Sequence, residues 1–224
     1  MEKGTRPARR WLREHGLSVV LFGLSAITLA GQFLTGRLVH NDELQQQGQA
    51  PLGLVEYLTS GHFVEALFEN WESEFLQMGM FVLLTVWLRQ KGSPESNPLD
   101  EDDKDEEPAP TARSPWPVKR GGWVLAVYRH SLSLALFGLF AVSFVLHAAG
   151  GAREHSRQEL AHGGHAVGLI EFLGTSDFWF QSFQNWQSEF FSVAMLIVLA
   201  VYLREQGSSQ SKPVATPHDE TGDE

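Results

Sequence analysis

The chain has 224 residues, of which 43% are hydrophobic and 20% are charged, and its formal net charge is −10 at pH 7. It contains no cysteine, which excludes disulfide scaffolds, iron–sulfur clusters, thiolate zinc sites and cysteine nucleophiles. The acidic balance argues against a nucleic-acid partner, because non-specific binding to nucleic acids needs a basic surface.

The hydrophobic residues are concentrated in four segments. The runs 16–36 and 131–152 contain no formal charge and are long enough to cross a bilayer as helices. The runs 75–88 and 190–203 are shorter, but they reach spanning length if their helices begin upstream. A soluble helical bundle is the alternative, although two charge-free runs of this length are uncommon in soluble domains. The sequence therefore predicts an all-α membrane protein with four transmembrane helices, near 16–36, 68–88, 130–151 and 183–203.

Lysine and arginine are unevenly distributed between the predicted loops. Of 17 such residues, all but Arg37, Arg153 and Arg157 lie before the first span, between the second and third, or after the fourth. Cytoplasmic loops carry the excess of these residues, so we expect a multi-pass inner-membrane protein with both termini in the cytoplasm and the lipid bilayer as its surroundings. The first apolar run exceeds the length of a signal-peptide core and no A-x-A site follows it, so we expect it to remain uncleaved.

The chain is a tandem repeat. Adding 115 to the numbers of the first half aligns it with the second half without a gap, and about 30 of the 82 positions from His15 to Ser96 are identical. Asn70-Trp71-Glu72-Ser73-Glu74-Phe75, for example, recurs as Asn185-Trp186-Gln187-Ser188-Glu189-Phe190. Each copy carries two predicted spans, so the copies share one orientation in the membrane and form two tandem helical hairpins.

The composition between and after the copies changes sharply. The stretch that joins them is acidic, rich in proline and nearly free of hydrophobic residues, which is typical of disorder. We therefore expect five regions: a basic cytoplasmic tail (1–10), membrane repeat 1 (11–92), a disordered linker (93–118), membrane repeat 2 (119–207) and a disordered acidic tail (208–224).

Each outer loop carries a second, short apolar segment, Pro51–Leu58 in the first copy and Ala166–Leu173 in the second. A break with good N-cap residues follows each one, so we expect a short interfacial helix and then a long helix that enters the membrane. Trp71 and Trp186 near the start of the long helices suit the interfacial aromatic belt and are predicted anchors.

The comparison of the copies singles out a polar pair. Glu74 and Glu189, with Asn70 and Asn185 four residues earlier, recur unchanged on one helix face, and we predict that they face inward as a candidate polar pair. The neighbouring acids of the first copy are replaced by uncharged residues in the second copy, so we predict that they face outward; they are Glu65, Glu69 and Glu72. A carboxylate that begins a membrane helix also suits the headgroup region as an N-terminal anchor.

Three histidines lie in the second outer loop, His155, His162 and His165, and they are a candidate metal cluster. The first copy has Gln47 and Ala50 at the last two of these positions, so the cluster is not symmetric. No nucleotide-binding, nucleophile-elbow or zinc-protease motif is present, and we expect neither an enzyme nor a resident cofactor.

The run 70–77, with 53–58 before it, resembles a bacterial family of uncharacterised multi-pass membrane proteins, a domain of unknown function with a repeated N-W-[EQ]-S-E-F motif. The resemblance covers roughly residues 11–92 and 126–207, and it implies a bacterial inner membrane. It brings no activity, cofactor or catalytic residue.

Two functions remain open. The favoured one is a non-catalytic structural or partner-binding membrane protein, with another membrane protein or a second copy of the chain as partner, because the sequence shows no catalytic motif. The alternative is a small ion or solute transporter or channel subunit with Glu74 and Glu189 on its path.

Overall fold

The computed structural model describes residues 7–99 and 109–221. All regular secondary structure in these residues is α-helical, which confirms the all-α prediction. The helices are α1 (Pro7–Gln46), α2 (Leu54–Leu58), α3 (Gly61–Leu84), α4 (Trp116–Arg120), α5 (Gly122–Arg129), α6 (Ser131–Ala161), α7 (Leu169–Leu173) and α8 (Ser176–Tyr202).

The helices recur with the spacing of the sequence repeat. Helices α1 and α6 end 115 residues apart, α2 and α7 coincide at both ends, and α3 and α8 begin 115 residues apart. Ser60 and Thr175 cap α3 and α8, each accepting a hydrogen bond from the third residue of its helix, which confirms the predicted N-caps. Local backbone structure is therefore shared by the two copies.

The shared glutamates of the short helices also have a local role. Glu56 accepts a hydrogen bond from the Gly53 N–H at 2.7 Å, and Glu171 accepts one from the Gly168 N–H at 3.4 Å. Each carboxylate thus satisfies a free amide at the start of α2 or α7.

Two helices, α1 and α6, are long and apolar enough to cross a membrane by length and composition. The sequence predicts four such spans, but among the described residues α3 and α8, whose first halves carry polar and acidic side chains, contain no stretch that is both long and apolar enough.

The most extensive helix–helix interface joins the two halves of the chain, between α3 and α6. Glycines allow the two backbones to approach closely: a Cβ atom at Gly61 would lie 2.7 Å from the Gly150 carbonyl oxygen, and one at Gly150 would collide with the Glu65 amide nitrogen. The equivalent pair, α1 and α8, forms no interface of comparable extent in the described residues. A threonine, Thr35, stands where α6 has Gly150, so the same close approach is not available there.

A small apolar core lies where α6, α7 and α8 meet, and its members are Ala148, Ala152, Phe172 and Phe178. Phe144 contacts Phe178 edge-on, with ring centroids 5.2 Å apart. The core fixes the outer end of the second half next to the interface with α3.

The ends of the two halves also correspond. Arg89 and Arg204 each donate hydrogen bonds to carbonyls of the turn before them, as cations at helix C-termini do. The Gly92 N–H donates to the Thr221 hydroxyl at 2.8 Å, so the end of repeat 1 contacts the C-terminal tail. Residues 100–108 of the linker and 1–6 of the N-terminal tail lie outside the described residues, and the disorder of linker and tail stays a prediction.

Candidate functional site

An open cavity of about 380 Å³ lies between the two halves, at the end of the bundle that carries the outer loops. Helices α1, α3, α6, α7 and α8 all contribute to its wall. The lining contains five carboxylates and two imidazoles, and its residues are Glu43, His62, Glu65, Ala66, Glu69, Glu154, His155, Gln158, Phe172, Asp177, Phe180 and Gln181. The surplus of carboxylates makes this cavity attractive to cations.

A chain of hydrogen bonds leads from the cavity into the interface between the halves. Glu65 Oε1 accepts from the Gln181 side-chain amide at 2.9 Å, and Gln181 Oε1 accepts from His147 Nε2 at 3.1 Å. His147 Nδ1 lies 2.7 Å from Glu72 Oε2, and Glu72 Oε1 accepts from the Trp186 indole N–H at 3.0 Å. The chain therefore joins a cavity-lining acid to a buried Glu–His pair.

The protonation state of His147 follows from its partners. Gln181 directs its amide nitrogen to Glu65, so its oxygen faces His147. Both ring nitrogens of His147 then donate hydrogen bonds, which is the pattern of an imidazolium. Neither His147 nor Glu72 exposes any surface, and the pair is a buried ion pair across the two halves.

Burial of Glu72 overturns one prediction. The replacement of the first-copy acids by Phe180, Gln184 and Gln187 predicts that they face outward, but Glu72 is fully buried and Glu65 and Glu69 line the cavity. The reason is the asymmetric packing: α3 presents this face to α6 and α8, whereas the equivalent face of α8 is exposed.

The predicted polar pair lies elsewhere. Asn70 and Glu74 are exposed, and the Asn70 side chain donates to the Ala66 carbonyl of its own helix. That these residues and their equivalents form an inward polar pair stays a prediction. Glu74 and the half-buried Glu189 interact electrostatically, but neither is among the described residues that line the cavity. Asn185 joins the cavity group instead, donating a short hydrogen bond to Glu69.

The two predicted anchor tryptophans have different surroundings. Trp71 is exposed and packs edge-on against Phe68 and Phe75, and its role as an interfacial anchor stays a prediction. Trp186 is half-buried and donates to Glu72, so it also belongs to the buried network.

The three histidines predicted as a metal cluster have separate partners. His155 lines the cavity, with Nδ1 3.6 Å from Asp177 Oδ2. His162 bonds to the Gln158 carbonyl of its own helix. His165 bonds to Glu171 at 3.1 Å and thereby lowers the pKa of that carboxyl.

A different cluster carries the arrangement of metal ligands. One ligand atom each from His40, Glu43 and His62 lie within 4.8 Å of one another. This group does not appear as a cluster of neighbouring histidines in the sequence, because its members come from the end of α1 and the start of α3. The feature of the sequence that could have indicated this site is the recurrence of His40 in the second copy as His155.

Burial also changes the acidity of the cavity wall. It raises the pKa of Glu65 to about 7, although the hydrogen bond from Gln181 opposes the shift. An acid with this pKa takes up and releases a proton near neutral pH.

Comparison with known proteins gives a family. Residues 8–223 match the family described as a domain of unknown function, DUF6766, and the chain belongs to this family. No curated protein and no solved structure matches the chain.

Proposed function

We propose that this member of the DUF6766 family is a four-span integral membrane protein with both termini in the cytoplasm, and that it moves protons rather than catalysing a reaction. The proton-binding groups in this proposal are the buried His147–Glu72 pair and the acids of the outer cavity.

Exposed apolar side chains support a membrane environment. Leu17, Phe22 and Ile27 on α1 each expose at least 70% of their surface, and α6 and α8 expose further leucine, valine and phenylalanine side chains. Such a surface is unfavourable in water but suits contact with lipid. Exposed Trp11, Trp87 and Trp123 stand at the opposite ends of the helices from the cavity, which is typical of an interfacial belt.

The polar first halves of α3 and α8 are compatible with spanning helices, because other protein groups cover their key side chains. Glu72 is enclosed by α6 and α8 and has hydrogen bonds to His147 and Trp186. Charged side chains within membrane helices are costly, and those that occur usually face the bundle interior and pair with one another. In the four-span topology, therefore, no charged side chain of this network has to face lipid.

The observation that carries the proton function is the hydrogen-bonded row of Glu65, Gln181, His147 and Glu72. Glu65, His147 and Glu72 can each bind a proton, and the Gln181 amide holds Glu65 and His147 in line. Chains of glutamate and histidine at membrane depth are the usual proton relays of pumps and transporters. Here one end of the chain opens to the acidic cavity and the other is buried between the halves.

Proton movement can be tested with the full-length protein in liposomes that contain a pH-sensitive dye. A potassium diffusion potential should drive protons into liposomes with the parent protein, and Glu72→Gln or His147→Gln should abolish this entry. The repeat itself provides these substitutions, since Gln187 and Gln32 stand at the equivalent positions. Glu74→Gln is the matched control and should conduct like the parent. Entry no faster than in empty liposomes, or unchanged entry with Glu72→Gln, would refute the proposal.

A structural or partner-binding role is the second candidate, and the surroundings of α1 favour it. This helix packs on α3 over a small area, so much of its length is free for another membrane protein or a second copy of the chain. A parent protein that conducts no protons but co-purifies from its membrane with one partner in fixed ratio would favour this candidate.

A further inference from the structure

We propose that His40, Glu43 and His62 form a binding site for a divalent transition-metal ion of the zinc class. The site joins the end of α1 to the start of α3, and its three ligand atoms lie within 4.8 Å of one another. It does not rest on the proposed proton function, because a bound metal here can act as a structural clamp alone.

The state of His40 points to a ligand. The side chain is fully buried, and neither of its ring nitrogens has a hydrogen-bond partner among the described residues. A buried polar group without a partner is unfavourable, and native proteins rarely leave one unsatisfied. Its Nδ1 is 3.8 Å from Glu43 Oε2, and its ring stacks on His62 with centroids 4.6 Å apart. A metal ion between these side chains would give His40 the partner that the protein alone does not supply.

The surroundings also orient the second imidazole. Tyr57 Oη and His62 Nδ1 share a hydrogen bond of 3.0 Å, which leaves Nε2 of His62 for a metal. Histidine ligands of metals are commonly held by such a bond to their other nitrogen. The nearby cation Arg157 is paired with Glu154, so its charge is offset.

The ligand types select the metal. Two imidazoles and one carboxylate suit zinc and related first-row ions, whereas magnesium and calcium prefer sites made of oxygen ligands. Glu43 and His62 also line the cavity, so a bound ion would have access to solvent and to a water molecule as a fourth ligand.

The second copy serves as an internal control, because it lacks the ligand set. His155 matches His40, but Gln158 stands in place of Glu43 and Asp177 in place of His62. His155 has Asp177 as its ion-pair partner there. We therefore expect one such metal site per chain, in the first half.

Metal binding can be measured on the full-length protein in mild detergent after treatment with a chelator. Addition of Co²⁺ should give visible absorption bands of a four-coordinate site at one equivalent, Zn²⁺ should displace them, and Mg²⁺ should not. Glu43→Gln and His62→Gln should abolish the bands. Tyr57→Phe, which copies Phe172 of the second half, should weaken Zn²⁺ binding by about tenfold, since it removes only the orienting hydrogen bond.

His165→Gln is the control, because it removes an exposed histidine outside the site. It should bind Co²⁺ and Zn²⁺ like the parent. Absence of stoichiometric Co²⁺ bands in the parent, or bands that persist in both Glu43→Gln and His62→Gln, would overturn the proposal. Melting of each variant without metal shows whether it folds. The metal-binding measurement itself does not depend on proton conduction.

Discussion

Helices α3 and α8 occupy equivalent positions in the repeat, yet they have opposite surroundings. Both begin after a hydroxyl N-cap, and both carry the N-W-[EQ]-S-E-F motif. Helix α3 buries Glu72 against α6, whereas the equivalent Gln187 of α8 is exposed. The duplication thus preserves local turns and caps, while the face that each helix buries is decided by its partner in the other half.

Removal of the Glu72 carboxylate should give the largest difference between the copies. Glu72→Ala leaves His147 buried without its ion-pair partner, and loss of one member of a buried pair costs about 3–5 kcal/mol. Gln187→Ala at the exposed equivalent position should change the free energy of unfolding by less than about 0.5 kcal/mol. Denaturant titration in mixed micelles measures both, and equal losses would contradict the asymmetry.

Disruption of the glycine contact between α3 and α6 should have the next largest effect on stability. Gly150→Leu forces the helix backbones apart and should destabilise the protein by about 1–3 kcal/mol or more. Thr35→Leu changes the matching position of α1, which is exposed, and should be tolerated. The comparison fails if thermal melting in detergent shows the two variants to be equally destabilised.

Glu65 should make the stability of the first half depend on pH. Its pKa is raised to about 7 in the folded protein, so the folded state binds more protons than the unfolded state between about pH 4.5 and 7. The free energy of unfolding should fall as the pH rises through this range, by at most about 3.5 kcal/mol at about 1.4 kcal/mol per pKa unit. His147, Glu69 and Glu154 face the same carboxyl and modulate the effect.

The substitution Glu65→Gln should flatten this part of the pH profile. The second half has Phe180 at the matching position and cannot contribute such a dependence. Melting the parent and the variant at pH 5 and pH 8 provides the measurement. A profile that keeps its slope in Glu65→Gln would assign the dependence to another group.

The N-caps should give the smallest and most symmetric effect. Ser60→Ala and Thr175→Ala each remove the hydrogen bond that the hydroxyl accepts at a helix start and the one that it donates to the preceding short helix, and each should cost about 1 kcal/mol. Similar values for the two variants would sharpen the contrast with the asymmetric interior. A large cost at one cap alone would mean that the local structure is not equivalent either.

The sequence predicts the features that depend on neighbouring residues. The repeat, the short helices and the caps at Ser60 and Thr175 follow from spacing and residue type. The buried face of α3 does not, because it is set by Gly61 and Gly150, residues 89 positions apart whose approach is a property of the folded chain. Treating the copies as equivalent environments therefore assigns Glu72 to the wrong face.

The same reasoning explains the metal ligands. His40 and His62 are 22 positions apart and meet because α2 and its flanking turns bring the start of α3 back to the end of α1. The hydrogen bonds of Asn41 with the backbone of Leu52, at 2.8 and 3.1 Å, hold that loop. The sequence contains no local cluster that predicts the contact between His40 and His62.

Cross-linking across the halves tests the central claim most directly, and the absence of cysteine makes it clean. A Cβ atom at Gly79 of α3 would lie 3.3 Å from the Phe137 ring of α6, so Gly79→Cys with Phe137→Cys should be joined in membranes by a short thiol cross-linker. The equivalent pair on α8 and α1, Ala194→Cys with Phe22→Cys, should not. After cleavage at a protease site inserted in the linker, only the first pair should keep the halves joined on a non-reducing gel. Efficient cross-linking of both pairs, or of the second pair alone, would contradict the asymmetric packing of α3 on α6.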